Sequence, residues 1–84
     1  MPLFMDLHQT LPEGATAKDV AAAHEADLKV QDQYGVKYLR YWVDEKNGQV
    51  FCLADAPDAE SAIAVHREAH GLLADRIVEV VEGS

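Results

Sequence analysis

From Leu3 to His8 apolar and polar positions alternate, with Leu3, Met5 and Leu7 on one side and Phe4, Asp6 and His8 on the other. That period of two predicts a strand over residues 2–8. Pro12 and Gly14 then punctuate a loop. Thr16, followed by Asp19 three residues on, resembles a capping box and predicts a helix from about Ala17 to Tyr34, stopped by Gly35. Ala17, Val20, His24, Leu28 and Gln31 share one stripe of that helix, with His24 in the middle, where a core residue is expected. Val36–Val43, rich in β-branched and aromatic residues, predicts a second strand. Asn47-Gly48 is a hairpin signal, and Gln49–Ala54 returns as a third strand. That strand is apolar on both faces, as expected of one that is covered on both. Pro57 and Asp58 open a second helix, with Asp58 as N-cap and Ala59, Ala62, Ile63, Val65, His66 and Ala69 on its apolar stripe. His70 lies near one edge of the stripe, and Gly71 ends the helix. Arg76–Glu82 predicts the last strand.

The order β-α-β-β-α-β is that of a ferredoxin-like α+β sandwich. It implies a four-stranded antiparallel sheet in the order 4-1-3-2 with two helices on one face, and residues 1–84 as a single domain. The apolar residues on both sides of the third strand imply that the open sheet face is also covered. In a chain of 84 residues a second copy is the natural cover, so a symmetric homodimer through the open sheet face is expected.

Charge narrows the partners. Fifteen acidic against seven basic residues give a formal net charge of −8. Nucleic acid and anionic membranes both require a concentrated basic patch, so neither is expected as a partner. A negative field favours small cations. The lone Cys52 excludes an intrachain disulfide framework and thiolate-rich metal patterns, and in mid-strand it reads as a small buried apolar residue. No apolar run approaches the length of a membrane span and no signal peptide precedes the first strand, so a cytoplasmic location is expected.

The candidate chemistry lies in histidine. Two of the four fall within Val65-His66-Arg67-Glu68-Ala69-His70-Gly71, four residues apart and therefore about one turn apart on one side of a helix. Imidazole is the commonest protein ligand of late first-row metals. In the expected topology the first strand ends at His8, His24 follows two turns into the first helix, and the second helix finishes at the same end with His66 and His70. All four histidines therefore converge, and with Asp6 they form the candidate metal set: Asp6, His8, His24, His66 and His70. Two limits qualify the set. If Leu3, Met5 and Leu7 face the helices, His8 looks toward the open sheet face and either reaches the others at the strand end or forms a separate site with Asp6, with Glu79 as a possible neighbour. Each helical histidine also has a structural reading, as a hydrogen-bonded core residue (His24) or as helix-end cations (His66 and His70). Arg67 stands where a metalloprotease motif carries its glutamate, so the pattern points to holding a metal without using it in catalysis.

Two sets of segments carry a resemblance. One comprises Asp6-Leu7-His8, the Gly14-Ala15-Thr16 to Asp19-Val20-Ala21 helix start, Ala23-His24 and Tyr34-Gly35-Val36. The other comprises Tyr41-Trp42-Val43, Val50-Phe51-Cys52-Leu53, Ala56-Pro57-Asp58 and His66-Arg67-Glu68-Ala69-His70-Gly71-Leu72. Together, from Leu3 to about Val80, they resemble the actinobacterial nickel-binding proteins within a broad family of small ferredoxin-like domains of unknown function. The resemblance implies a dimer that binds Ni²⁺ for sequestration or tolerance, without catalysis. It also implies that His8, His24, His66 and His70 are the recurring histidines. Two alternatives stay open. One is a small dimeric α+β barrel enzyme resembling monooxygenases, with a pocket lined by His24, His66, Tyr38 and Trp42. The other is a ligand-sensing module whose histidines only pack the core.

Overall fold

In the computed structural model, which describes residues 2–83, the elements follow in the order β1 (Leu3–His8), α1 (Ala17–Val30), β2 (Lys37–Asp44), β3 (Gln49–Asp55), α2 (Ala59–Ala69) and β4 (Arg76–Val80). The sheet order is β2-β3-β1-β4, and the paired strands are antiparallel. This is a ferredoxin-like arrangement with both helices packed on one face. Among the described residues no helix is long and apolar enough to cross a membrane.

Local chemistry sets the element ends. Thr16 is extended and its hydroxyl accepts from Asp19 N, while Thr16 N donates to Asp19 Oδ2 at 2.8 Å, the reciprocal capping box read from the sequence. The helix expected to reach Tyr34 is α-helical only to Val30. Gln31–Tyr34 tightens into a 3-10 turn, and Gly35 at φ +67° makes the left-handed exit. Gln31 then turns its side chain onto the next strand, accepting from Tyr38 N at 2.8 Å. Asp58 caps α2 by accepting from Ser61 N at 2.8 Å. Asp44 closes the β2–β3 hairpin through both the backbone and the side chain of Asn47.

Register decides which residues face the helices. Phe4, Asp6 and His8 of β1 lie opposite Ala54, Cys52 and Val50 of β3. Those residues are buried or half-buried beneath α1 and α2 and form the core with Val20, Val36, Tyr38, Ala62 and Val65. Leu3, Met5 and Leu7 face the other way. The conditional expectation that these three look toward the helices is therefore reversed. Leu3, Met5 and Leu7 are the more apolar set, so hydrophobicity alone points to the wrong face of β1.

In β2 one residue is surplus. Tyr38 lies opposite Ala54 and Arg40 opposite Leu53, leaving Leu39 in a bulge. Tyr38 and Tyr41 are three apart, a spacing that puts two strand residues on opposite faces. The bulge restores both to the helix side. Trp42 (47% exposed) and Leu39 (48% exposed) stay outside. On the open face a shallow depression is lined by Leu3, Met5, Leu39, Trp42, Leu53 and Val80 among others.

Candidate metal centre

Asp6 is charged by composition yet only 1% exposed, and it sits on the mid-strand position opposite Cys52. A buried carboxylate has to be paired or hydrogen-bonded, and three elements converge to do so. From β2, the Tyr38 hydroxyl donates to Asp6 Oδ2 at 2.7 Å and contacts Ala62 O at 3.2 Å. From α2, His66 brings Nε2 to 2.9 Å from the same oxygen. From β1 itself, His8 Nε2 comes within 3.2 Å of Oδ1. That approach is an ion-pair contact without hydrogen-bond geometry, and Asp6 Oδ1 remains buried with no hydrogen bond among the described residues.

The other nitrogen of His66 meets α1. Its Nδ1 lies 2.9 Å from Oδ1 of Asp27, a residue 2% exposed. His70 Nε2 reaches the same oxygen at 3.0 Å, while His70 Nδ1 accepts from Leu72 N at 3.0 Å. An accepting Nδ1 puts the ring proton of His70 on Nε2, aimed at Asp27. Three rings surround His66: Tyr38 stacked at 4.6 Å between centroids, His70 tilted at 4.9 Å and His8 edge-on at 5.2 Å.

With a carboxylate at each nitrogen, His66 satisfies both contacts only as the imidazolium, since a neutral ring has one N–H. Burial alone favours the neutral ring, but the hydrogen bonds to Asp27 and Asp6 outweigh it and push His66 up to about 11. Burial likewise raises Asp6, yet His66, His8 and Tyr38 together hold it well below the usual carboxylate range. Asp27 is lowered in the same way, its burial outweighed by His66 and His70. Burial, reinforced by Asp6, keeps the Tyr38 phenol firmly protonated. The Cys52 thiol is pushed up to about 11, chiefly by burial.

Two sets of side chains have donor atoms within 4.8 Å of one another: Asp6, His8, Cys52 and His66, and Asp27, His66 and His70. The first offers two nitrogens, a sulfur and an oxygen, a mixed set suited to late first-row divalent ions. Its buried, under-bonded Asp6 Oδ1 is where a cation gains most. Of the residues read from the sequence, Asp6, His8, His66 and His70 meet here. Asp6 and His8 therefore do not form a separate site. His24 joins neither set; it packs against Tyr41 at 4.7 Å. Glu79, opposite Phe4 on the edge strand, is exposed and stands apart. Asp27 and Cys52 were not anticipated in the site, and Tyr38 was expected only as part of a pocket lining. Asp27 lies about 20° around α1 from Val20, so helical phase pointed to it even though hydrophobicity did not.

Beside the first set is a cavity of about 290 Å³ between the β1–α1 loop, α1, β3 and the end of α2, lined in part by His8, His24, Asp27, Cys52, His66 and His70. Trp42, expected to line such a pocket, is on the opposite sheet face.

Residues 4–80 match the family described as nickel responsive protein SCO4226-like. The chain belongs to that family. A crystal structure described as SCO4226 from Streptomyces coelicolor A3(2) superposes with a TM-score of 0.88 at 36% identity, covering 98% of this chain and 99% of that one. Comparison with curated proteins gave no match. The family therefore agrees with the resemblance read from the sequence.

Proposed function

We propose that the chain binds one Ni²⁺ ion through Asp6, His8, Cys52 and His66, sequestering the metal without catalysis. Asp27 and His70 support the outer nitrogen of His66. The observation that carries this reading is Asp6 Oδ1, a buried carboxylate oxygen without a hydrogen bond, 3.2 Å from a histidine nitrogen. Charge is consistent with it. Without metal, two carboxylates and one imidazolium leave the cluster at −1. Exchanging the His66 and Cys52 protons for one divalent ion leaves that charge unchanged, so the buried cluster gains no new unpaired charge. The choice of nickel among late divalent ions rests on the family description alone, since affinity order does not select it.

We also take residues 1–84 to be one domain, cytoplasmic, and to form a homodimer across Leu3, Met5, Trp42 and Leu53 of the open sheet face. A half-exposed tryptophan among apolar neighbours is characteristic of a surface that is covered in the assembly.

The deciding experiment is calorimetric titration of the metal-free chain with Ni²⁺ beside Zn²⁺ and Cu²⁺, repeated on Asp6→Asn and on His8→Ala/His66→Ala. The expected result is one ion per chain, with affinity lost in both variants. Affinity that is indifferent to Asp6→Asn rules out this centre.

A further inference from the structure

Tyr38 supplies no atom to the set of Asp6, His8, Cys52 and His66, yet it touches two of its members. Its hydroxyl donates to Asp6 Oδ2 at 2.7 Å, and its ring stacks on His66 at 4.6 Å between centroids and 27° between planes. We propose that Tyr38 is the positioning residue of the metal centre: it holds Asp6 in place for the ion and stabilises the loaded protein more than the metal-free one. This rests on the reading of those four residues as the ligands.

The difference between the two states follows from the bonds made to one oxygen. In the metal-free chain Asp6 Oδ2 has two partners, the Tyr38 hydroxyl and His66 Nε2 at 2.9 Å. A ring nitrogen that coordinates carries no proton, so His66 gives up its bond to Oδ2 when it becomes a ligand. Tyr38 is then the one group among the described residues that still donates to Oδ2, on a carboxylate only 1% exposed. Take the hydroxyl away and the loaded protein keeps a buried oxygen with no donor, whereas in the metal-free protein His66 still serves it. The geometry favours this use of the phenol. Its oxygen also lies 3.2 Å from the carbonyl of Ala62 on α2, but a phenol has one proton, and the charged oxygen at the shorter distance takes it. The residue is only 4% exposed, and its backbone N–H is fixed by Gln31 Oε1 at 2.8 Å, so the hydroxyl is presented to Asp6 from a tethered frame.

Tyr38→Phe keeps the ring and its stack and removes only the hydroxyl. Calorimetric titration of the full chain with Ni²⁺ should give an affinity about ten- to a hundredfold weaker than the parent's at unchanged stoichiometry, the range for losing an outer partner of a ligand. Urea unfolding with and without Ni²⁺ should show the same difference, the substitution costing more in the loaded protein. Val36→Ala, which trims an apolar core side chain 1% exposed, should lower stability in both states alike and leave Ni²⁺ affinity unchanged. If Tyr38→Phe does not fold, Gln31→Ala decides in its place, since releasing the Tyr38 backbone should weaken Ni²⁺ binding in the same direction by a smaller factor. The proposal is overturned if the Tyr38 variant, or Gln31→Ala in its place, binds Ni²⁺ like the parent, or if Val36→Ala loses as much affinity; the centre itself survives either result. A parent chain whose Ni²⁺ affinity is indifferent to Asp6→Asn removes the centre and this proposal with it.

Discussion

Nε2 of His66 lies 2.9 Å from Oδ2 of Asp6, a residue 60 positions earlier in the chain. With Asp27 at the other nitrogen, one α2 side chain joins both helices to the sheet through charge. Such a bridge is strongly destabilising to break from one side, because the partners left behind are buried and unpaired. His66→Ala strands two carboxylates and is expected to cost about 3–5 kcal/mol in urea unfolding of the metal-free chain. Tyr38→Phe removes one neutral donor from Asp6 and should cost less, about 1–3 kcal/mol. Equal losses would show that His66 is not the hub.

The pH dependence of the metal-free protein follows from the same bridge. Asp6 and Asp27 are lowered from 3.8, so their stabilisation is complete above that value and lost as pH falls. His66 is raised from 6.5 to about 11, so its contribution is complete below 6.5 and is lost as pH climbs toward 11. Both conditions hold together between 3.8 and 6.5. Thermal unfolding across pH should place the network's greatest contribution in that mildly acidic window, and His66→Ala should flatten the alkaline decline.

Metal binding should follow pH in the opposite sense. A ligand must shed its proton before it coordinates, so Ni²⁺ affinity should fall between about pH 7.5 and about pH 5.5. Titration in buffers of different ionisation enthalpy should count about two protons released per ion, from His66 and Cys52. Because nickel then displaces the protons that hold the bridge, the gain in thermal stability on loading should be larger at the higher pH.

Sulfur ligation has its own optical signature. Ni²⁺ loading should produce a thiolate-to-metal charge-transfer band that disappears in Cys52→Ser, while His24→Phe retains it. A band that survives Cys52→Ser would remove Cys52 from the centre.

The open sheet face offers a separate test. Trp42→Glu puts a charge among Leu3, Met5 and Leu53 without touching the core. Sedimentation should show a shift from dimer to monomer, with nickel affinity retained.

How much of this was legible in the chain varies with the kind of signal. Element order, the Thr16 and Asp58 caps, the Asn47-Gly48 hairpin and the convergence of His8, His66 and His70 followed from turn chemistry, periodicity and topology, all local or geometric rules. The helix-facing side of β1 did not, because Leu3, Met5 and Leu7 are more apolar than Phe4, Asp6 and His8 although the latter set is the buried one. Asp27 was hidden for the same reason. Hydrophobic patterning places a carboxylate outside, and Asp27 is inside only because His66 and His70 reach it from another element. Leu28, placed on the core stripe, is 42% exposed. Cys52 read as inert packing until register put it opposite Asp6. Sites built from paired charges break the rule by which a sequence is read.

The surplus residue at Leu39 has one more consequence. β2 is an outer strand of the sheet, and outer strands present unpaired backbone groups that can recruit another chain into a continuous ribbon. At Leu39 the regular ladder of that rim is interrupted after its first rungs. An incoming strand would lose register there, so lateral growth through this rim is discouraged, and the dimer proposed through the broad side of the sheet would close at two instead of propagating.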